Sequence, residues 1–154
     1  DVVFQYLETG NYSPRSSVET IANAMDVGAP SNFARILDLY GNSHKLISEK
    51  IKGYRYSDDE IRSIIADVYK THAYLCDPHG ACGCQSLREY LKPNQIGVFL
   101  ETAHPAKFCE NVEKVIGKDK VIIPEKLKAF MEGKKQSTLL ENNYDDFRKY
   151  LIGK

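Results

Sequence analysis

One short apolar run places the strongest limit on how this chain can fold. Residues Gln95–Glu101 hold a nearly continuous apolar stretch with β-branched and aromatic members, namely Ile96, Val98, Phe99 and Leu100. Such a stretch is typical of a strand that is buried on both faces of a sheet. The rest of the chain favours helices, so a single strand would need neighbouring strands that this chain barely supplies. The sequence therefore predicts a helix-rich α/β fold whose sheet is incomplete.

Helical periodicity predicts several helices on both sides of this run. The clearest signal is Ser57-Asp58-Asp59-Glu60, a capping box in which Ser57 and Glu60 satisfy each other's free backbone amides. Ser31 is predicted to cap a helix that ends near Gly41. The other helices are expected within Asp1–Glu8, Leu46–Ile51, Asp77–Lys92, Ala106–Ile116, Pro124–Glu132 and Tyr144–Leu151, and Ser13–Pro30 is expected to be mostly loop.

Size and charge exclude some classes of protein. The 154 residues are enough for one ordinary domain, and we expect residues 1–154 to belong to a single domain. Lysine plus arginine number 21, as do aspartate plus glutamate, so no charge imbalance favours nucleic acid or an anionic membrane as partner. No apolar run is long enough to cross a bilayer, and no signal peptide is recognisable. A cytoplasmic protein is expected, and the absence of an initial methionine suggests a fragment or processed product.

Three of the four cysteines, with one histidine, lie close together in Cys76–Cys84. Thiolates and imidazoles at short spacing suggest a small zinc module. The spacing lacks paired C-x-x-C knuckles, and a helix starting at Pro78 would point Cys82 and Cys84 about 200° apart. We therefore expect reduced, structural thiols and no metal.

A turn rich in reactive side chains follows the predicted strand. Thr102 can donate or accept a hydrogen bond, His104 can exchange protons, and Lys107 can attract an anion. In open α/β folds, ligands bind outside the carboxyl ends of strands, next to helix N-termini. The alternative is structural: Thr102 would be a cap, His104 a surface turn residue and Lys107 a solvated charge.

A second polar segment, Asn23–Arg35, leads into a predicted helix. Asn23, Asp26 and Asn32 lie in or near the loop, and Arg35 is one turn inside the helix. A helix N-terminus with a nearby guanidinium suits an anion such as phosphate. The same residue types are also those that any loop or cap would use.

The order of three segments is more specific than any one of them. Asn23–Arg35 resembles the NAMDVxxPSNFxR segment of threonine synthases, Asp77-Pro78-His79 resembles their (D/E)PH segment, and Thr102–Phe108 is similar to their TAHPAKF segment. The resemblance extends from Asp1 to about Leu127. It implies the C-terminal part of a fold type II pyridoxal-phosphate (PLP) enzyme, related to the β subunit of tryptophan synthase.

The resemblance also implies a reaction. Threonine synthases convert O-phosphohomoserine and water into threonine and phosphate by β,γ-elimination and addition of water, with PLP as electron sink. By this analogy Thr102 binds the cofactor at its pyridine nitrogen, and His104 and Lys107 line the catalytic pocket. The candidates for contacts with the substrate are Asn23, Asp26, Asn32 and Arg35.

The chain also departs from the family. It contains neither the segment that carries the Schiff-base lysine nor the glycine-rich GNFGN phosphate loop, so we expect both in a missing N-terminal part. The isolated chain is accordingly predicted to be inactive and, through the uncovered surface around Ile96–Leu100, to self-associate. Two other functions stay open: a non-catalytic helical domain that binds a partner, and the zinc module.

Overall fold

The computed structural model describes residues 1–23 and 26–153. The chain divides into two compact units, Asp1–Ile122 and Ile123–Lys154, and each is described by itself. The prediction of a single domain for residues 1–154 stays a prediction. In the described part of the chain, no helix is both long and apolar enough to span a membrane.

The predicted helices are confirmed, with small shifts at their ends. The first unit contains α1 (Val2–Thr9), α2 (Phe33–Leu39), α3 (His44–Lys50), α4 (Asp58–His72), α5 (Pro78–Tyr90), a 3₁₀ helix (Pro105–Phe108) and α6 (Cys109–Ile116). The second unit contains α7 (Glu125–Met131) and α8 (Tyr144–Ile152). The segment between α1 and α2 is loop where it is described, as predicted.

Helix α4 is the centre of the first unit. Its capping box forms as predicted, because Ser57 Oγ accepts from the amide of Glu60 at 3.4 Å and Glu60 Oε2 accepts from the amide of Ser57 at 2.7 Å. The buried face of α4 packs against α5 and α6 and consists of Ile61, Ile64, Ile65 and Val68. The periodicity of the sequence therefore identified the face that forms this part of the core.

A second group of buried residues joins the three N-terminal helices. Tyr6 of α1 packs edge-on against Phe33 of α2, with 4.8 Å between the ring centroids, and Ile47 of α3 is fully buried beside them. The prediction that Ser31 caps α2 is wrong, since the cap position is Asn32 and no side chain bonds there. The carbonyl of Pro30 accepts from the amide of Phe33 at 3.2 Å, so this amide already has a backbone partner.

The predicted strand at Gln95–Glu101 is not formed by the described residues. Ile96, Val98 and Leu100 are 96%, 80% and 75% exposed, whereas Phe99 and Glu101 are half-buried. The alternation is that of an extended segment with one covered face, so the prediction of burial on both faces is wrong for this chain. A strand requires a hydrogen-bonded neighbour, and the described residues provide none. The helix-rich part of the fold class is confirmed.

Candidate functional site

The turn after this extended segment has a well-defined local structure. His104 is the cap residue of the 3₁₀ helix, and its Nδ1 accepts a hydrogen bond from the amide of Ala106 at 3.1 Å. Pro105 occupies the first position of the helix, where its lack of an N–H does no harm. Ala106 and Phe108 are buried. These contacts fix the turn on the core and leave the side chains of Thr102 and His104 exposed.

Thr102 and His104 line the same cleft. It has a volume of about 710 Å³ and is bordered by the end of α4, the turn itself and the segment after α6. Lys120 brings a positive charge to this cleft, and Tyr69 and Tyr74 bring aromatic rings. Burial, followed by the nearby charge of Glu101, raises the pKa of Tyr74, so its hydroxyl keeps its proton at neutral pH.

Lys107 does not line the cleft that contains Thr102 and His104. It lies in the 3₁₀ helix, and its side chain is exposed. Ala106 and Phe108 on either side of Lys107 point into the core, so Lys107 faces outward. Of the three residues predicted in this turn, the structure therefore brings two together.

The segment predicted to bind the substrate does not line this cleft. Asp26 lines a cleft of about 230 Å³ that shares no residue with the first one, and its Oδ1 accepts from Thr20 Oγ1 at 2.9 Å. Asn23, Asn32 and Arg35 are exposed. Ala24 and Met25, which belong to the same predicted segment, lie outside the described residues. None of the four residues predicted to contact the substrate therefore lines the cleft that contains Thr102 and His104.

A pair of carboxyl groups that the sequence analysis missed lies beside the turn. Asp77 is fully buried and caps α5, where its Oδ1 accepts from the amide of His79 at 2.8 Å and lies 3.1 Å from His79 Nδ1. The amide of Asp77 donates to Glu101 Oε2 at 3.4 Å. An acidic residue that ends an apolar run, as Glu101 does, was the available signal in the sequence.

The two carboxyl groups perturb each other. Burial, with the hydrogen bond and charge of Asp77, raises the pKa of Glu101 to about 7. Burial alone would raise the pKa of Asp77 too, but hydrogen bonds with Glu101 and His79 lower it instead. Near neutral pH the pair therefore carries a single proton for much of the time, held on Glu101.

The cysteines are not gathered with other candidate ligands in the described residues. All four thiols are free, and no group of three or more His, Cys, Asp and Glu side chains in residues 1–23 and 26–153 is arranged to hold a metal ion. Burial is the main cause that raises the pKa of Cys76 to about 12 and that of Cys82 to about 11. In the chain as it stands these two thiols therefore stay protonated at neutral pH.

Known proteins resemble this chain over nearly its full length. The family described as "Threonine synthase, C-terminal" matches residues 80–151. Threonine synthase from Haemophilus influenzae is 36% identical over 152 residues, which are 99% of this chain and 35% of that protein. The crystal structure of threonine synthase from Escherichia coli superposes with a TM-score of 0.81 at 32% identity, and the match covers 99% of this chain and 35% of that one.

A further structure holds a cofactor. The PLP-bound threonine synthase from Brucella melitensis matches 99% of this chain and 38% of its own, with a TM-score of 0.70 and 27% identity. The chain thus spans about a third of the length of these relatives. On these matches the chain belongs to the threonine synthase family and corresponds to the C-terminal part of its members.

Proposed function

We propose that this chain supplies one wall of the active site of a threonine synthase, a PLP-dependent lyase that converts O-phosphohomoserine and water into threonine and phosphate. The observation that carries the proposal is the exposure of Thr102 and His104 in one open cleft at the end of the segment 95–101. The other wall would come from the N-terminal part of the same enzyme, which would also complete an α/β fold of type II around that segment.

The residues of the cleft fit a PLP ring. Thr102 offers an uncharged hydroxyl. The adjacent Glu101 also borders the cleft, but its Oε2 accepts from the amide of Asp77 and its Oε1 is buried. A hydroxyl does not hold a pyridine nitrogen in its protonated form as strongly as a carboxylate does. When bound, PLP supplies an electron sink for the carbanions of the reaction, and Thr102 would moderate that sink by leaving the nitrogen largely neutral.

His104 is suited to hold or move a proton at the cleft. Because its Nδ1 accepts from the amide of Ala106, a neutral ring carries its proton on Nε2. The Nε2–H can therefore donate to an oxygen of the substrate or orient the water that adds to the β carbon. Lys107 is an exposed ammonium on the same turn and would attract the negatively charged substrate.

Four residues of the N-terminal segment complete the proposed site. In the reaction the bond between the γ carbon and the phosphate oxygen breaks, and phosphate leaves with the electron pair. Arg35 presents an exposed guanidinium, which can hold phosphate through two parallel hydrogen bonds. Asn23, Asp26 and Asn32 would contact the polar groups of the substrate. The intact enzyme would have to bring this segment and the Thr102 cleft to the same substrate.

The test is Thr102→Val in the complete enzyme, with Thr9→Val as control, because Thr9 is also an exposed threonine and lies on α1, outside the cleft. We expect Thr102→Val to lower kcat by roughly tenfold, as for loss of one hydrogen bond of about 1.4 kcal/mol, and to shift the absorbance of bound PLP. Thr9→Val should change neither. An unchanged spectrum and turnover in Thr102→Val would refute the cofactor assignment.

A further inference from the structure

The extended segment lies along one face of α5 in an antiparallel direction. Glu101 lies at Gly80 in the first turn of the helix, Phe99 lies at Gly83 one turn later, and Gly97 contacts the side chains of Leu87 and Leu91. At each of these contacts, a glycine on one element faces a larger side chain on the other. The turn that carries Thr102 and His104 therefore begins where the segment is held against the start of α5.

The contact at Gly80 is the tightest of these. A methyl group on Gly80 would overlap the carboxyl group of Glu101, whereas a methyl group on Gly83 would lie 3.4 Å from the nearest atom of Phe99, an ordinary contact distance. The carboxyl group of Glu101 thus occupies the space that a side chain at position 80 would fill. Glu101 could not keep this position beside any residue larger than glycine.

The same carboxyl group leaves an unsatisfied buried atom. Glu101 Oε1 and Asp77 Oδ2 are both buried, and neither has a hydrogen-bond partner in the described part of the chain. Two buried carboxylates repel each other, and each unpaired oxygen is costly. One proton shared between the two groups removes the repulsion and gives both a partner. The raised pKa of Glu101 agrees with this arrangement.

We propose that Glu101 is a positioning residue, which holds the turn from Thr102 to His104 against α5 through a proton shared with Asp77. Glu101 does not itself act on the substrate. The consequence for catalysis depends on the function proposed above, but the anchoring of the turn does not. Ionisation of Glu101 beside the carboxylate of Asp77 would weaken the anchor and loosen the turn. The titratable groups that interact with the pair include Tyr74, Cys76, His79 and Cys82. Tyr69, His104 and Lys120 line the cleft that Glu101 borders.

Two alanine variants of the complete enzyme separate this role from a general effect on α5. Gly80→Ala and Gly83→Ala each add one methyl group to α5, and only the first displaces the carboxyl group of Glu101. We expect Gly80→Ala to speed hydrogen exchange of the amides of Ala106 and Lys107, which donate to Nδ1 and to the carbonyl of His104, by about tenfold or more and to lower kcat by roughly 10- to 100-fold. Gly83→Ala should alter both by less than about twofold.

Glu101→Gln tests the shared proton without removing the side chain. Its amide can donate to Asp77 at every pH, as a protonated glutamate does. In the wild type we expect the exchange protection of the Lys107 amide, which donates to the backbone carbonyl of His104 at 2.9 Å, to fall by about fivefold or more from pH 6 to pH 8 after correction for intrinsic rates. In Glu101→Gln this protection should stay constant and match the wild type at pH 6.

The exchange data decide the inference, and Thr102→Val decides the proposed function. Equal exchange in Gly80→Ala and Gly83→Ala, or the same pH dependence in Glu101→Gln and the wild type, would overturn the anchoring role. A Thr102→Val enzyme with normal turnover, together with faster exchange in Gly80→Ala, would leave the anchor in place and refute only its connection to threonine synthesis. If Gly80→Ala does not fold, the pH dependence of hydrogen exchange in Glu101→Gln and the wild type tests the anchoring role by itself.

Discussion

The ring of His104 accepts a hydrogen bond from the backbone amide of Ala106 through Nδ1, at 3.1 Å. One side chain therefore has two roles: Nδ1 caps the 3₁₀ helix, and Nε2 stays available in the cleft. The structural alternative for His104, a turn residue without chemistry, uses only the first role. The two roles can be separated because asparagine is a good cap residue but exchanges no protons.

His104→Asn and His104→Ala should therefore differ in stability and agree in activity. We expect His104→Asn to keep the free energy of unfolding within about 0.5 kcal/mol of the wild type, and His104→Ala to lose about 1 kcal/mol. In the complete enzyme both should lower kcat by roughly 100-fold, because general acid–base groups contribute at least that much. Urea denaturation and steady-state kinetics measure the two effects. Full activity in His104→Asn would leave His104 as a cap alone.

Glu101 predicts how stability depends on pH. Its pKa rises from the ordinary 4.5 to about 7 in the folded chain, so the folded chain binds more protons than the unfolded chain between these values. The contribution of Glu101 to the free energy of unfolding is therefore fully present below about pH 4.5 and is lost as pH rises through about 7. The contribution of Asp77 changes with pH in the opposite direction, because its pKa is lowered from 3.8. This change occurs only at more acidic pH.

We expect the free energy of unfolding to fall by on the order of 1 kcal/mol from about pH 5 to about pH 8. One titrating group can change it by at most about 1.4 kcal/mol per pH unit. The expected change is smaller because Glu101 is partly exposed to solvent, which screens its interactions. Glu101→Gln should remove this decrease. Both proteins contain the same histidines, so the difference between their urea-denaturation curves isolates Glu101. Parallel pH profiles would show that Glu101 does not titrate in this range.

Local sequence rules predicted the helices correctly. The same rules failed for features whose structure depends on contact with a second element. The Ser57 capping box and the Asp77-Pro78 start of α5 depend on residues within one turn, so the sequence was sufficient. The strand at Gln95–Glu101 was predicted from its apolar composition, but its pairing depends on neighbours that the described residues do not provide. The anchor between Glu101 and Gly80 was missed because two separate elements create it.

The candidate site shows the same distinction. Thr102 and His104 were predicted together, and they line one cleft because they share a turn. Lys107 shares the turn but faces outward, since the 3₁₀ helix turns its buried neighbours inward. Asp26 lies in a long loop and lines a different cleft, and sequence provides no comparable rule for the position of such a loop. The roles of all seven predicted site residues stay predictions.

The isolated chain should not bind PLP in the manner of the complete enzyme. Lys120 is the lysine that lines the Thr102 cleft, but it is exposed and no lysine of the chain lies in a motif that resembles the Schiff-base segment of the family. Titration of the chain with PLP should thus give no lysine-linked absorbance band at stoichiometric amounts, and no threonine should form. A stoichiometric band that Lys120→Gln abolishes would contradict this.

The uncovered face of the extended segment should make the isolated chain associate with itself. Ile96, Val98 and Leu100 are largely exposed side by side, and the backbone of residues 96–100 forms no hydrogen bond with the described part of the chain. An apolar face with an unpaired edge favours pairing with another chain. We expect the sedimentation coefficient to rise as the concentration increases from about 10 to about 500 μM, and Val98→Lys to suppress the rise, because charge blocks edge pairing.

Leu39→Lys is the matched control, because Leu39 is 76% exposed but lies on α2, away from the segment. It should leave the concentration dependence unchanged, since a single exposed leucine is not an association surface. A wild type that stays monomeric over the whole range would contradict the prediction. Equal suppression by both variants would mean that added charge, and not this face, controls association. Suppression by Val98→Lys alone would identify residues 96–100 as the surface through which the isolated chain associates.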